Sequence, residues 1–499
     1  MRQRKKMQEG QLENKKEQRS QKKKLLSEER PNRLGKLEVS IVGVLVCIPF
    51  IWMIFEYAHF INVDSEEAIN NAFNPRQEIL AAQTMRGRIL ASDHTVLSET
   101  VMNSYGEEER SYPFDNLFAH VVGFSTNGKQ GIEWLANYQL LQSDISLTSK
   151  MENEFNGQKN PGNDVVTTLD MGLQQVASNA LGIYQGAVVV LEVQTGKVLA
   201  MVSKPDFDPN EIQVIWEDLL ADQNSSVLLN RTTQGLYPPG STFKVITSLA
   251  YLRENNNNVA NFHYQCNGSL TIDGERITCY HGTSHGSCTF AYAFAKSCNT
   301  SFAKIGLELD KNIVNTALEK LYFNQELPLQ LSSNSSKVTI NDMSTSEEVL
   351  QMSIGQGTSV VTPIHMAMIT SSIANGGVML QPYFVDQIID AEGRLVKEYQ
   401  GKVLGQVMTV EESTTLKELM EEVVEIGTGT RLKGLSYTVA GKTGSAEYNT
   451  NPLDSHAWFI GFAPVEEPEI AIAILVEGAG SGGDYAVPMA KRIFDEYFD

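Results

Sequence analysis

The chain has 499 residues, 42% of them apolar, and its 60 acidic and 40 basic residues give a net charge of −20. This length and apolar content suffice for two or three folded domains, and they exclude a chain that is disordered throughout. The first 36 residues hold thirteen basic and five acidic residues, whereas the rest hold 27 and 55. The acidic excess beyond residue 36 argues against nucleic acid as a partner.

Residues 1–36 form a basic arm, which we predict to be a disordered cytoplasmic tail because charge runs of this kind are usually solvated. Residues 39–55 then form an apolar run without charges, between Glu38 and Glu56. A helix that spans a bilayer needs about 17–25 residues, and Pro49 within the run would kink such a helix without preventing its insertion. The sequence therefore predicts a transmembrane anchor over residues 37–57.

The charge bias across this anchor predicts its orientation. Basic residues accumulate on the cytoplasmic side of a membrane span, so we expect a single-pass protein of the cell membrane with a cytoplasmic N-terminus. Everything after the anchor would then lie outside the cytoplasm. No small-residue cleavage site follows the apolar run, which indicates an uncleaved signal anchor rather than a removed signal peptide.

Residues 58–160 have a mixed composition. The alternation of apolar and polar residues over 88–97 predicts short strands. Nothing in this stretch assembles an acid, a base and metal ligands in one pattern. We therefore predict a small non-catalytic module between the anchor and a larger domain, residues 161–499.

The larger domain shows strand and helix patterns at both of its ends. Near its start we predict a strand over 165–170, a helix over 171–181 and a hairpin over 186–203. Near its end we predict strands over 437–447, 456–462 and 469–477, followed by a helix over 488–498. This pattern is typical of an α+β domain, in which an antiparallel sheet is flanked by helices. The polar stretches 254–258 and 331–347 are predicted loops.

The centre of this domain is Ser241-Thr242-Phe243-Lys244, which follows Tyr237-Pro238-Pro239-Gly240 and precedes an apolar run. Two prolines and a glycine mark a turn that starts a helix, so we predict a helix that begins at Ser241. Residues three apart share a helix face, which places Lys244 one turn from Ser241. A lysine among apolar side chains loses its preference for the charged form, so this pair is typical of a nucleophile and its base.

Two further motifs accompany this pair. Ser297-Cys298-Asn299 follows a helix-like stretch, and Lys442-Thr443-Gly444-Ser445 lies in the strand predicted over 437–447. The motifs S-x-x-K, S-D-N and K-T-G occur together in β-lactamases and penicillin-binding proteins. The chain resembles the penicillin-binding proteins, and more narrowly the class B (monofunctional) peptidoglycan transpeptidases. It differs from the common middle motif only at Cys298, a position that varies in this family.

The resemblance extends over about two thirds of the chain. Further segments similar to this family's catalytic domain are Leu229-Asn230-Arg231, Gly355-Gln356-Gly357, Thr362-Pro363, Gly427-Thr428-Gly429-Thr430 and Trp458-Phe459-Ile460-Gly461-Phe462-Ala463-Pro464. Segments similar to its pedestal or dimerisation-like module are Arg86-Gly87-Arg88-Ile89-Leu90, His120-Val121-Val122-Gly123 and Gly131-Ile132-Glu133. Residues 58–160 do not match a glycosyltransferase domain, so we predict one catalytic activity.

The resemblance implies a D,D-transpeptidase that cross-links the stem peptides of peptidoglycan and is a target of β-lactams. Ser241 would attack the carbonyl between the last two residues of a stem peptide while Lys244 takes its proton and D-alanine leaves. Ser297 would relay a proton to the leaving amine, and Asn299 would position the stem-peptide amide. An amine from a second peptide would then attack the acyl-enzyme and form the cross-link.

The third motif is expected to bind the substrate. The resemblance assigns this role to Lys442, Thr443, Gly444 and Ser445, with Lys442 and Thr443 holding the substrate carboxylate. It places the oxyanion donors at the backbone N–H groups of Ser241 and Ser445. It implies a separate wall-synthesis glycosyltransferase as a partner, and the chemistry requires no nucleotide or organic cofactor.

Other functions remain open at the level of sequence. A serine β-lactamase and a β-lactam-sensing receptor share the three motifs, but the first needs a base that activates water and the second a signalling partner domain. A D,D-carboxypeptidase would use water as the acceptor on the same residues. A scaffold without activity is the remaining alternative, although no motif residue is lost here.

Four of the five cysteines cluster within the catalytic domain, and two interpretations of them stay open. Outside the cytoplasm, disulfides such as Cys266 with Cys279, or buried thiols, are the ordinary interpretation. The other is a structural zinc held by Cys266, Cys279, His285 and Cys298, a Cys₃His set that suits closed tetrahedral coordination. Some elongation-type members of the family are understood to carry zinc beside the middle motif. Cys288 and His281 are the substitute ligands.

Overall fold

The computed structural model describes residues 2–28, 33–59, 76–222, 225–448 and 455–499. Contacts divide the chain into two compact units, Met1–Asn74 and Pro75–Asp499. Within the predicted module, 58–160, residues 60–75 lie outside the described residues.

Among its described residues, the first unit contains two helices, Arg2–Glu28 and Arg33–His59. The expectation that the basic arm is disordered is therefore wrong, because the Lys, Arg, Gln and Glu residues that dominate it are good helix formers. The segment Glu38–His59 is long and apolar enough to cross a membrane, with a mean hydropathy of 2.3. Its apolar side chains are exposed, an arrangement that fits a helix surrounded by lipid.

The second unit contains nineteen strands and eleven longer helices among the described residues. In chain order the strands are β1 (Thr84–Met85), β2 (Ile89–Leu90), β3 (Val96–Met102), β4 (Glu108–Ser111), β5 (Asn160–Pro161), β6 (Asp164–Thr167), β7 (Gly186–Glu192), β8 (Val198–Lys204), β9 (His263–Cys266), β10 (Ser269–Ile272), β11 (Glu275–Thr278), β12 (Gly286–Thr289), β13 (Val378–Gln381), β14 (Val385–Ile389), β15 (Leu395–Glu398), β16 (Lys402–Gln406), β17 (Ala440–Glu447), β18 (Ser455–Ala463) and β19 (Ile470–Val476). The longer helices are Arg76–Gln83, Leu147–Phe155, Met171–Leu181, Ile212–Ala221, Lys244–Glu254, Asn299–Glu308, Lys311–Lys320, Ser346–Ser353, Pro363–Ala374, Val410–Glu425 and Ala486–Phe498. Shorter helices are Ala119–Val122, Gly131–Leu135, Asn137–Leu141 and Phe290–Ala295.

The module before β6 is organised around the buried carboxylate of Glu133. It accepts hydrogen bonds from Arg86 Nε and Arg110 Nε, both at 2.7 Å, and from Ser98 Oγ at 2.8 Å. Burial raises the pKa of this carboxyl, but the charges of Arg110 and Arg86 outweigh burial and hold the pKa at about 2. The carboxylate is thus saturated with donors, and it ties β3 and β4 to the helix Gly131–Leu135.

A six-stranded sheet joins this module to the catalytic domain, in the order β15-β14-β6-β2-β3-β4. Strand β6 pairs with β2 in parallel, with Ile89 opposite Val165, and pairs with β14 on its other edge. The short strands predicted over 88–97 are confirmed as β2 and β3. Hydrogen bonds of one sheet therefore run across the predicted division at residue 160.

A five-stranded antiparallel sheet forms the core of the catalytic domain, in the order β17-β18-β19-β7-β8. The hairpin predicted over 186–203 is confirmed as β7 and β8, and the three late strands are confirmed as β17 to β19. Helices Met171–Leu181 and Ala486–Phe498 pack on one face, and Pro363–Ala374 packs on the other. Because both faces are covered, β19 is buried along its whole apolar length. The α+β class is confirmed.

The helix predicted to begin at Ser241 starts differently from the expectation. Gly240–Phe243 form a 3₁₀ turn, and the α-helix begins at Lys244 and ends at Glu254. The tighter turn lets the chain leave the two prolines and enter the helix within four residues. The insertion that follows holds two short hairpin sheets, β9 with β12 and β10 with β11. Three of the clustered cysteines lie in it.

Candidate active site

The three motifs meet at one cleft of about 1210 Å³ in the second unit. Ser241, Ser297 and Asn299 line it, together with Thr443, Gly444 and Ser445. Lys244 and Lys442 lie behind this lining with no exposed surface. Elements far apart in the chain thus bring every predicted catalytic and substrate-binding residue to one place.

The turn that presents Ser241 is fixed by neighbouring segments. Gly240 has a left-handed backbone, φ +53°, and its N–H donates to the carbonyl oxygen of Gly355 at 2.8 Å. A Cβ atom at Gly355 would lie 2.1 Å from the Gly240 oxygen, so only glycine permits this approach. The Trp458 indole donates to the oxygen of Pro238 at 3.0 Å. Ser241, which is half-buried, therefore lies on a turn whose position is fixed by these hydrogen bonds.

Lys244 is a buried amine with three polar partners. Its Nζ donates to Ser297 O at 2.7 Å, to Ser297 Oγ at 3.1 Å and to Asn299 Oδ1 at 2.7 Å. Burial lowers the pKa of Lys244 to about 7. A large neutral fraction is therefore present near pH 7. Within the described residues, the hydrogen bonds of this amine go to Ser297 and Asn299, so its pairing with Ser241 rests on their one-turn spacing.

Ser297 stands between the two buried lysines. Its Oγ accepts a hydrogen bond from Lys442 Nζ at 3.0 Å as well as the one from Lys244. Its backbone is left-handed, φ +56°, an uncommon state for serine that is found preferentially at functional sites. Burial lowers the pKa of Lys442 well below its usual value, and the charge of Lys244 lowers it further.

Asn299 connects the catalytic lysine with the insertion that holds the cysteines. Its Oδ1 faces Lys244, and its Nδ2 donates to the carbonyl oxygen of Thr278 at 2.9 Å. Thr278 is the last residue of β11 and directly precedes Cys279. The position of the β10–β11 hairpin therefore helps to set the orientation of the Asn299 side chain.

Strand β17 forms the wall of the cleft opposite the middle motif. The hydroxyls of Thr443 and Thr428 are hydrogen-bonded to each other. A Cβ atom at Gly444 would lie 3.0 Å from the Thr242 methyl group, so glycine lets the strand lie close against the nucleophile turn. The N–H of Gly482 donates to Ser445 Oγ at 3.4 Å. The strand thus carries two hydroxyl side chains along one side of the cleft.

Cys266, Cys279, His285 and Cys298 form a compact cluster, with ligand atoms all within 4.8 Å of one another. The Sγ of Cys279 lies 3.7 Å from that of Cys266 and 3.8 Å from that of Cys298. His285 Nδ1 lies 3.5 Å from the Sγ of Cys266. A disulfide has an S–S distance of about 2.05 Å, so the predicted Cys266 to Cys279 bond is not formed and these cysteines are free thiols.

The two substitute ligands lie outside this cluster. Cys288 is buried, and its thiol donates to the carbonyl oxygen of Gly286 at 3.6 Å. His281 lies in an exposed turn, where its ring is 4.0 Å from that of Tyr280. The four residues first named from the sequence are therefore the set that the fold brings together.

Glu477 contacts the segment that leads to the nucleophile turn, and the sequence did not predict this role. Its Oε1 accepts from Arg231 Nε and from the Tyr237 hydroxyl, both at 2.7 Å. Tyr237 begins the segment that leads to the nucleophile turn, and burial, followed by the charge of Glu477, raises its pKa. The sequence marked Arg231 and Tyr237 through their motifs, but Glu477 lies 240 residues after Tyr237 and carries no local signal.

Two families of known domains match the chain. The penicillin-binding protein transpeptidase domain matches residues 186–495. The penicillin-binding protein A dimerisation domain matches residues 86–165.

Individual relatives agree with these matches. The peptidoglycan D,D-transpeptidase PbpA of Mycolicibacterium smegmatis is 30% identical over 81% of this chain and 87% of its own length. The peptidoglycan D,D-transpeptidase MrdA of Acinetobacter baumannii is 31% identical over 77% of this chain and 65% of its own length. A ceftriaxone acyl-enzyme complex of penicillin-binding protein A from Mycobacterium tuberculosis superposes with a TM-score of 0.76, at 28% identity over 85% of this chain and all of that one.

Proposed function

Since this chain belongs to the penicillin-binding protein transpeptidase family, we propose that Ser241 is the residue that becomes acylated. The protein is a peptidoglycan D,D-transpeptidase, a serine acyltransferase of cell-wall synthesis, and this chemistry needs no cofactor. One observation supports the assignment of its residues above the others. Ser241 opens onto the same cleft as Ser297, whose hydroxyl contacts the two buried lysines.

The first step forms the bond between Ser241 Oγ and the carbonyl carbon that precedes the terminal D-alanine. The hydroxyl proton passes to the neutral Nζ of Lys244, which becomes an ammonium. The lowered pKa of Lys244 supplies the neutral amine. Its contacts with Ser297 O and Asn299 Oδ1 then stabilise the ammonium, because both atoms are acceptors at 2.7 Å.

The second step breaks the carbon–nitrogen bond and releases D-alanine, whose amine must gain a proton. Ser297 is placed to deliver it. Its hydroxyl oxygen accepts hydrogen bonds from both lysines, so its own O–H is free to point into the cleft. The proton that Ser297 gives to the amine is replaced from Lys244, which returns to its neutral form for the next half-reaction.

When Ser241 attacks, negative charge develops on the carbonyl oxygen of the substrate. We expect the backbone N–H groups of Ser241 and Ser445 to stabilise this charge by hydrogen bonds. Support comes from the close approach of the two segments. A Cβ atom at Gly240 would lie 2.8 Å from the carbonyl oxygen of Ser445. Removing one donor of this kind in other enzymes slows the reaction by about 10²–10³-fold.

The terminal carboxylate of the stem peptide is expected to bind along β17. Lys442 supplies positive potential from behind the strand when protonated, and Thr443 and Ser445 supply hydroxyl donors from its cleft side. Thr428 holds the Thr443 hydroxyl through their shared hydrogen bond. An amine of a second stem peptide then attacks the acyl carbon and gives its proton to neutral Lys244. The bond between this carbon and Ser241 Oγ breaks, and the proton passes from Lys244 to that oxygen.

The Cys₃His cluster fits a structural zinc ion. With zinc–sulfur bonds of about 2.3 Å and zinc–nitrogen bonds of about 2.0–2.1 Å, a tetrahedral site has S–S edges of about 3.8 Å and S–N edges of about 3.5 Å. The cluster has S–S distances of 3.7 and 3.8 Å and an S–N distance of 3.5 Å. Three buried cysteines and one imidazole also form a donor set that zinc prefers.

The bound zinc would act as a structural cross-link and take no part in the acyl transfer. Cys298 lies between Ser297 and Asn299, so fixing its sulfur restrains the backbone that carries both side chains. Cys279 restrains the end of β11, where the carbonyl of Thr278 holds Asn299 Nδ2. The cluster would therefore position the middle motif from two directions.

The location of the protein follows from its first helices. We propose that Glu38–His59 spans the cell membrane once, with the basic arm in the cytoplasm and the catalytic domain outside. The two matched domains are a dimerisation domain, residues 86–165, and a transpeptidase domain, residues 186–495. A wall-synthesis glycosyltransferase is therefore the expected partner, since cross-linking requires strands made elsewhere.

Covalent labelling with a fluorescent penicillin tests the assignment. The full-length protein in detergent should be labelled, with the mass of one penicillin on the peptide that contains Ser241, and Ser241→Ala should not be labelled. Ser248→Ala is the matched control, because this buried hydroxyl lies on the following helix and has no hydrogen-bond partner among the described residues. Label on the Ser241→Ala variant would overturn the assignment.

The lifetime of the label separates this function from a serine β-lactamase. Among the carboxylates that line the cleft in the described residues, Asp484 pairs with Arg431 at 2.8 Å and Glu447 is exposed at the end of β17. Neither resembles a buried base that activates water. We expect the acyl-enzyme to persist for many minutes, and its release within seconds would favour the β-lactamase.

A further inference from the structure

The hydroxyl of Thr300 lies against all three sulfurs of the cysteine cluster. Its Oγ1 is 3.2 Å from Cys266 Sγ, 3.4 Å from Cys298 Sγ and 3.7 Å from Cys279 Sγ. Thr300 has no exposed surface. The hydroxyl therefore sits over the triangular face that the three sulfurs form.

This placement matters because of the charge of the cluster. Three thiolates and one Zn²⁺ leave a net charge of −1, which is costly in a buried site unless donors surround it. Ser301 Oγ donates to Cys298 Sγ at 3.1 Å, and Gly268 N–H donates to Cys266 Sγ at 3.4 Å. The Thr300 hydroxyl donates to Cys266 Sγ at 3.2 Å and also lies 3.7 Å from Cys279 Sγ.

We propose that the Thr300 hydroxyl sets the zinc affinity of this cluster, as one hydroxyl placed against three sulfurs. The inference rests on the zinc site of the proposed function. A hydroxyl held against the sulfurs fixes their positions and offsets the negative charge of the zinc-loaded cluster, so its loss should weaken metal binding. Thr300 is a positioning residue, because it acts on the active site through Cys298 and touches no reacting atom.

The test compares two substitutions at one position in the full-length protein. Thr300→Val removes the hydroxyl and keeps the shape, whereas Thr300→Ser keeps the hydroxyl. Zinc affinity is measured at pH 7 by competition with a chromophoric chelator. Loss of an outer donor to metal ligands typically costs about 10–100-fold in affinity. We expect a loss in this range for valine and near-complete rescue by serine.

A second measurement reports on the sulfurs directly. With Co²⁺ in place of zinc, the sulfur-to-metal charge-transfer band should move to lower energy in Thr300→Val, because the sulfur electrons are no longer stabilised by a donor. Thr370→Val is the matched control. Thr370 is equally buried, and its hydroxyl donates to Met366 O at 2.7 Å, within another helix. Its loss should leave the affinity and the band unchanged.

The outcomes separate this inference from the one on which it rests. A wild-type protein that binds no zinc overturns the zinc site and this role together. A wild-type protein that binds zinc, with equal affinity in Thr300→Val, overturns the role of Thr300 alone. If the valine variant does not fold, Thr300→Ala removes the hydroxyl without adding a methyl group and decides the question by the same comparison.

Discussion

Lys244 and Lys442 approach the hydroxyl oxygen of Ser297 from two separate motifs, at 3.1 and 3.0 Å. Two buried amines this close to a shared atom cannot both be charged without a large cost, so their protonation is linked. Lys244 has two further acceptors at 2.7 Å, whereas Lys442 has one at 3.1 Å. Lys244 therefore has more acceptors for its ammonium form than Lys442 has among the described residues.

Acylation by penicillin should depend on pH through Lys244. The neutral amine is the active form and the pKa of Lys244 is lowered to about 7. The rate should therefore level off above this value and fall about tenfold for each pH unit below it. The measurement is the second-order acylation rate between pH 5.5 and 9. Lys244→Ala should lose most of the rate and the inflection with it. A wild-type rate that shows no inflection between pH 5.5 and 9 would show that Lys244 is not the base.

Glu477→Ala should damage both stability and acylation. It leaves Arg231 buried without its carboxylate and releases the Tyr237 hydroxyl at the entrance to the nucleophile turn. We expect the free energy of unfolding to fall by about 2–3 kcal/mol, since the side chains of Arg231 and Glu477 are 4% and 21% exposed. Displacement of the turn should slow acylation by about tenfold or more.

A control separates these effects from the loss of any surface charge. Glu467→Ala removes an exposed carboxylate between β18 and β19 and should change neither quantity. Glu477→Gln keeps an acceptor for both partners and should fall between the wild type and Glu477→Ala. Wild-type acylation in a folded Glu477→Ala variant would show that the turn does not depend on this network.

The purified protein should contain about one zinc per chain, measured by atomic emission. Cys298→Ser should lose the zinc and slow acylation, because Ser297 and Asn299 flank this ligand. Cys288→Ser is the matched control, since Cys288 is equally buried but outside the cluster, and it should keep the zinc. Metal-free wild-type protein, or equal zinc in both variants, would contradict the assignment.

Protease added outside intact cells should digest the catalytic domain and spare the basic arm. The reason is that the arm's charge keeps it in the cytoplasm during insertion. The measurement is immunoblotting with one epitope tag beside Lys22 and another after Asp499. Digestion of the N-terminal tag with protection of the C-terminal one would reverse the proposed orientation.

The sequence predicted the parts of the site that depend on short spacings. The separation of Ser241 and Lys244 is one helical turn, and the five strands of the central sheet each show an apolar pattern of their own. The sequence also singled out the four residues whose ligand atoms the fold brings within 4.8 Å of one another, because only four cysteines and two histidines lie within residues 266–298. These features are local or chemically restrictive.

The features that the sequence did not predict depend on distant contacts. The carbonyl of Thr278 orients Asn299, but any residue supplies a carbonyl, so no side chain marks this role. Glu477 meets Tyr237 only after the sheet has formed. The helix Arg2–Glu28 was not predicted, because the high charge of this segment is typical of disorder, although its Lys, Arg, Gln and Glu residues favour helix.

The sheet that includes β6 has a consequence for how this protein can be divided. Strand β6 is hydrogen-bonded to β2 of the module on one edge and to β14 of the catalytic domain on the other. A chain cut at residue 160 would leave β6 with an unpaired edge, and such edges recruit strands from other molecules. The catalytic domain therefore cannot be separated from the module without exposing a strand edge. Gene fusions or recombination that separate it from residues 76–160 should yield aggregation-prone proteins, which ties the two parts to a common evolutionary history.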